Sequence, residues 1–90
     1  MTAETVVRRV DGIPFTHLGD ELLAVDAEAG YVYALNETGG TLWNLLQTPL
    51  AVRQLCDRIR ETYDVDEPTC RTAVTEALEA LQKAGLVEVV

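Results

Sequence analysis

Between Gly30 and Trp43 the spacing of apolar residues changes from two to about 3.6, so the chain must pass from strand to helix at Leu35–Asn36. Tyr31-Val32-Tyr33-Ala34-Leu35 is an aromatic and β-branched run behind a glycine turn, which is strand chemistry. Asn36 is a good helix N-cap, Glu37 suits the positive end of a helix, and Leu42, Leu45 and Leu46 recur at helical spacing. The first helix is expected from Glu37 to Gln47, ending before Thr48-Pro49 because a residue preceding proline avoids the α region. Gly39-Gly40 lies in its first turn, where glycine would permit close backbone approach.

Upstream of this junction lie three further extended segments: Thr5–Val10 with Arg8 and Arg9 toward solvent, Phe15–Leu18, and Glu21–Val25. The last pairs with Tyr31–Leu35 as a hairpin across Asp26–Gly30. Downstream, Thr48 is expected to cap a second helix with Pro49 at its first position, and Val52, Leu55, Cys56, Ile59 and Tyr63 make its buried face. Asp66 caps a third helix with Cys70, Val74, Ala77, Leu78, Leu81 and Ala84 as its apolar stripe and Gly85 as its stop. Leu86–Val90 is a final strand or an ordered tail. The order predicts one α+β domain over residues 1–90, of winged helix-turn-helix type, with an N-terminal three-stranded antiparallel sheet followed by three helices.

The chemistry of the side chains argues against catalysis. His17 is the single histidine, neither Cys56 nor Cys70 has one close in sequence, and one histidine with two distant thiols matches no zinc spacing, so neither metal nor cofactor is expected. Two cysteines give no disulfide framework, and no export signal or apolar run of membrane-spanning length is present, so a cytoplasmic protein with no membrane partner is expected. Net charge is −8, which repels a phosphate backbone and favours a basic partner. The third helix offers Arg71 and Lys83 against Glu67, Glu76 and Glu79, too negative a surface for the DNA major groove. A winged-helix DNA regulator is therefore the weakest reading. The uncharged Tyr31–Leu35 strand, with neither lysine nor proline to protect it, suits an edge that receives an extended peptide.

These residues carry a resemblance. Asp26-x-x-x-Gly30-x-Val32-Tyr33-x-Leu35-Asn36-x-Thr38-Gly39, followed by Leu42-Trp43-x-Leu45-Leu46, Leu55 with Tyr63-x-Val65-Asp66, and Ala77-Leu78-x-x-Leu81-x-x-Ala84-Gly85-Leu86, resembles the PqqD-like domains over roughly Leu22 to Val87. These domains are also called recognition elements of ribosomally synthesised, post-translationally modified peptides (RiPPs). The Leu-Asn-x-Thr-Gly form is most similar to the stand-alone recognition proteins of lasso-peptide gene clusters. The Gln47-Thr48-Pro49 turn departs from the Asp-Gly or Gly often found there. The resemblance implies a non-enzymatic adaptor that binds the leader of a precursor peptide as an antiparallel strand on Tyr31, Val32, Tyr33, Ala34 and Leu35. Helix residues Glu67, Cys70, Arg71, Val74 and Leu78 would form the facing wall. It further implies a Tyr-x-x-Pro element in the leader, and a leader peptidase and a cyclase as processing partners. The same fold serving another RiPP pathway, or a quinone-cofactor precursor passed to a radical enzyme, is the alternative.

Overall fold

The computed structural model describes residues 1–90. Strands β1 (Val6–Arg9), β2 (Phe15–Leu18), β3 (Glu21–Asp26) and β4 (Tyr31–Leu35) precede helix α1 (Glu37–Leu45). A short β5 (Leu50–Ala51) leads into α2 (Val52–Thr62), then α3 (Glu67–Lys83) and β6 (Val87–Val89). The expected α+β class holds, but the single N-terminal sheet gives way to two three-stranded antiparallel sheets, ordered β2-β3-β4 and β5-β1-β6.

The second sheet forms because β1 leaves its sequence neighbours for partners far along the chain. Val6 and Val7 pair with Ala51 and Leu50, while Val7, Arg8 and Arg9 pair with Val89, Glu88 and Val87. This pairing also corrects the start of α2. Thr48 does not cap it; Ala51 does, and the first helical amides, of Val52 and Arg53, donate to the carbonyls of Thr5 and Ala3 at 2.9 Å each. The N-terminal segment thus satisfies donors that a polar cap would otherwise take. Arg9 is corrected as well. Alternation along β1 puts it on the same side as fully buried Val7, so it turns inward while Arg8 stays outside.

The caps at the other helices follow the sequence. Gly39 N–H donates to Asn36 Oδ1 at 2.8 Å and Thr69 N–H to Asp66 Oδ2 at 3.4 Å. Gly85, at φ +77°, ends α3 with Leu86 N–H donating to the Leu81 carbonyl, the left-handed stop that a Cβ would strain. Close approach, in contrast, does not demand glycine at position 40: a Cβ there would lie 3.7 Å from Leu22 Cβ, an ordinary contact. A core of 17 buried residues joins both sheets to all three helices, with Trp43, Leu42, Leu55, Leu78 and Leu86 among its largest members.

Thr69 holds the Asp66 carboxyl below its ordinary value of 3.8 by hydrogen bonding to the charged form. A depressed folded-state pKa adds stability that is complete above the ordinary value and disappears as pH falls through the lower one. Asp66→Asn keeps a capping oxygen but removes the charge. Its stability should therefore fall less steeply than wild type in acid below pH 4, as read by thermal melts at stepped pH.

Candidate functional site

The strand β4 closes the β2-β3-β4 sheet on one side and pairs on that side with nothing. Register fixes which of its backbone groups are free. Val25 N–H donates to the Pro14 carbonyl at 2.9 Å, so Leu23 and Val25 direct their backbone groups to β2. Leu22, Ala24 and Asp26 direct theirs to β4, bonding Leu35, Tyr33 and Tyr31. What remains facing outward is one N–H and one C=O on each of Val32 and Ala34.

Side chains alternate in the opposite sense. Tyr31, Tyr33 and Leu35 share the helix-facing side with buried Leu22 and Ala24, and the two tyrosine rings lie 6.1 Å apart. Tyr31 is 62% exposed and Tyr33 half-buried, so this aromatic pair runs from solvent toward the core. Val32 and Ala34 project from the other face, beside Val25 and Leu23. Of the five strand residues singled out from sequence, Val32 and Ala34 supply main chain and Tyr31 and Tyr33 supply surface. Leu35 is core.

Beginning two residues past the end of β4 is an apolar cavity of about 290 Å³ between the N-terminal turns of α1 and α3 and the end of α2. Cys70 and Val74 form its floor, Ala73 and Thr69 its α3 side, and Ile59 and Tyr63 its α2 side. Tyr63 Oη donates to Glu37 Oε1 at 3.0 Å, both on exposed residues that line the cavity. The remaining expected wall residues divide differently. Leu78 is fully buried beneath the helices, and exposed Glu67 and partly exposed Arg71 form an i, i+4 pair at 3.7 Å, outside the cavity lining. Of this lining the sequence reading named Cys70 and Val74 alone, and among the residues it missed are Ala73, Thr69, Thr41 and Glu37. Their signal was small or polar residues at helical spacing beside the apolar stripe, which is ambiguous until the neighbouring helix is placed.

Neither thiol is set up for nucleophilic chemistry. Burial, reinforced by Cys70 alongside, pushes the Cys56 thiol up to about 11, and both cysteines are buried and free. No cluster of three His, Cys, Asp or Glu side chains is placed to hold a metal ion. No helix is long and apolar enough to cross a membrane.

Fold and site together define a class: a small α+β domain whose last N-terminal strand lies open beside the start of a helix trio. The chain belongs to the PqqD family, whose model, described as coenzyme PQQ synthesis protein D, matches residues 21–87. No curated protein sequence matches it. Among solved structures it is similar to TbiB1 in complex with the TbiA(beta) leader peptide, with 27% identity, a TM-score of 0.81, and 90% of this chain and 94% of that one covered. A lasso peptide synthetase B1 complexed with its leader peptide shares the fold at 16% identity and a TM-score of 0.76, covering 91% and 96% of the two chains. So does the PqqD truncation of Methylobacterium extorquens PqqCD, a stand-alone RiPP recognition element, at 18% identity and a TM-score of 0.77, covering 92% and 88%.

Proposed function

We propose that this protein is a binding adaptor without catalytic activity, which takes up the leader of a lasso-peptide precursor as an added strand on β4 and presents it to a leader peptidase, with a cyclase acting later. The observation that carries this reading is the open edge at Val32 and Ala34 next to an apolar cavity. TbiB1, similar over nine-tenths of this chain, was solved with a leader peptide, which supports the same ligand class here.

Magnitudes show why the edge needs the cavity. Four main-chain groups, at about 0.5–1.5 kcal/mol net each, give a guest strand roughly 2–6 kcal/mol. Ordering a disordered peptide costs about 2–5 kcal/mol, so the ladder alone leaves little affinity. Burying one large apolar side chain adds about 1.5–3 kcal/mol, and that term also selects the sequence. The aromatic or proline ring of a Tyr-x-x-Pro element fits the volume and the lining of the cavity.

Ala73 tests this without touching the core, because it is exposed on α3 while lining the cavity. Ala73→Glu should weaken binding of a fluorescein-labelled leader at least tenfold by fluorescence polarisation, with an unchanged far-UV spectrum. A wild-type titration curve would place the guest elsewhere. Because the chain carries −8, a lysine-rich leader should also bind more weakly as salt is raised from 20 to 500 mM.

A further inference from the structure

The geometry points to a second docking site, at the opposite end of α1 from the leader cavity, where Arg9 takes the carboxylate of an acidic segment on a partner protein. The turn after β1, the start of β2 and the C-terminal end of α1 enclose a cavity of about 570 Å³, lined among others by Arg8, Arg9, Ile13, Phe15, Trp43 and Pro49. It adjoins β2, and β2 and β4 are the two opposite edges of their sheet. A guest on β4 and a partner here would not compete for space.

Arg9 is what gives the cavity a ligand preference. Its guanidinium lies over the Phe15 ring at 4.9 Å and the Trp43 ring at 4.7 Å. Nε donates to the Trp43 carbonyl at 2.8 Å and Nη2 donates to the same oxygen, which leaves both N–H groups of Nη1 unspent. Two arginines are only partly exposed, Arg9 and Arg71. Arg71 has Glu67 within reach, whereas no carboxylate lies within 4.0 Å of Arg9. Burial lowers the proton affinity of Arg9, so the cation loses hydration with no anion to compensate.

The rest of the lining does not supply that anion. Arg8 is already paired with Glu88 across the β1–β6 ladder, and Asp11, the acid of the lining, is exposed and makes no ion pair. In a chain with fifteen acidic residues, a half-buried guanidinium left without one is matched to a carboxylate from outside. The surrounding negative surface sharpens the choice, because an acidic segment is repelled from most of the molecule and attracted here. The two hydrogen bonds to the Trp43 carbonyl, with the Phe15 and Trp43 rings alongside, hold the guanidinium in place, so the approach direction is set before the partner arrives.

The test needs no identified partner, and it is independent of leader binding. The probes are the blocked peptide acetyl-Gly-Glu-Gly-Glu-Gly-amide and its glutamine counterpart, titrated to millimolar concentration against the whole protein. Readouts are the fluorescence of Trp43, the single tryptophan, and the 15N resonances of the arginine Nε groups. The glutamate peptide should shift the Arg9 resonance and Trp43 emission at a concentration at least fivefold below that of the glutamine peptide. Arg9→Gln should erase the difference, and Arg53→Gln, which removes an exposed arginine paired with Glu4, should preserve it. Equal responses to the two peptides on the wild type would overturn the site. So would a glutamate-specific shift at Arg8 or Arg53 with Arg9 unmoved, a readout that stands even if Arg9→Gln does not fold.

Discussion

Val32→Pro should leave the fold intact and raise the leader dissociation constant at least thirtyfold, about 2 kcal/mol. The reason is the direction of one N–H. Val32 stands opposite Val25 in a pair that exchanges no backbone bonds, since Val25 spends its N–H on the Pro14 carbonyl. Proline at position 32 therefore removes no internal hydrogen bond, and an edge strand accepts its fixed φ when the lost donor faces solvent. A guest strand loses a main-chain partner and meets the proline ring at the place where its carbonyl would lie. Tyr33→Pro is the matched control. It deletes a bond to Ala24 inside the sheet, so it should unfold or strongly destabilise the protein. Fluorescence polarisation with a labelled leader, alongside urea titrations of both variants, separates the two effects. Leader affinity unchanged in Val32→Pro would remove strand addition at β4 as the binding mode.

Much of this arrangement is written locally in the chain. Asn36 and Asp66 are strong caps whose partners lie three residues away, and the period switch at Leu35–Asn36 needs no distant contact to be read. Elements defined by distant pairing are different. Leu50–Ala51 is two residues long and becomes a strand because Val6 and Val7 lie beside it, so its own composition could not announce it. The same pairing displaced the start of α2 from Thr48 to Ala51. Arg9 was read as solvated because a run of two arginines looks like a surface, and only the strand's alternation against buried Val7 turns it inward. At the cavity, Cys70 and Val74 were legible as a stripe. Which of their neighbours line the opening depends on where α2 ends, and that is a packing property.

Trp43→Ala should cost about 3–5 kcal/mol, the loss expected for truncating a large aromatic side chain in a packed core. Native proteins are stable by about 5–15 kcal/mol, so this one substitution removes a large fraction of the total. Trp43 is 1% exposed, packs edge-on against Phe15 at 5.5 Å between ring centroids, and forms one face of the Arg9 stack. Removing it opens a void between α1 and the β2-β3-β4 sheet and uncovers the guanidinium. Trp43→Phe makes the argument specific. The indole Nε1 is buried and donates to no protein group, so replacing the ring breaks no hydrogen bond within the chain. Phenylalanine keeps most of the ring volume and gives up no internal hydrogen bond, so its net loss should be less than half that of alanine. Urea unfolding followed by far-UV circular dichroism measures both. Equal losses for the two variants would mean that Nε1 has a bound partner, and that the polar atom rather than the ring volume anchors α1 to the sheet.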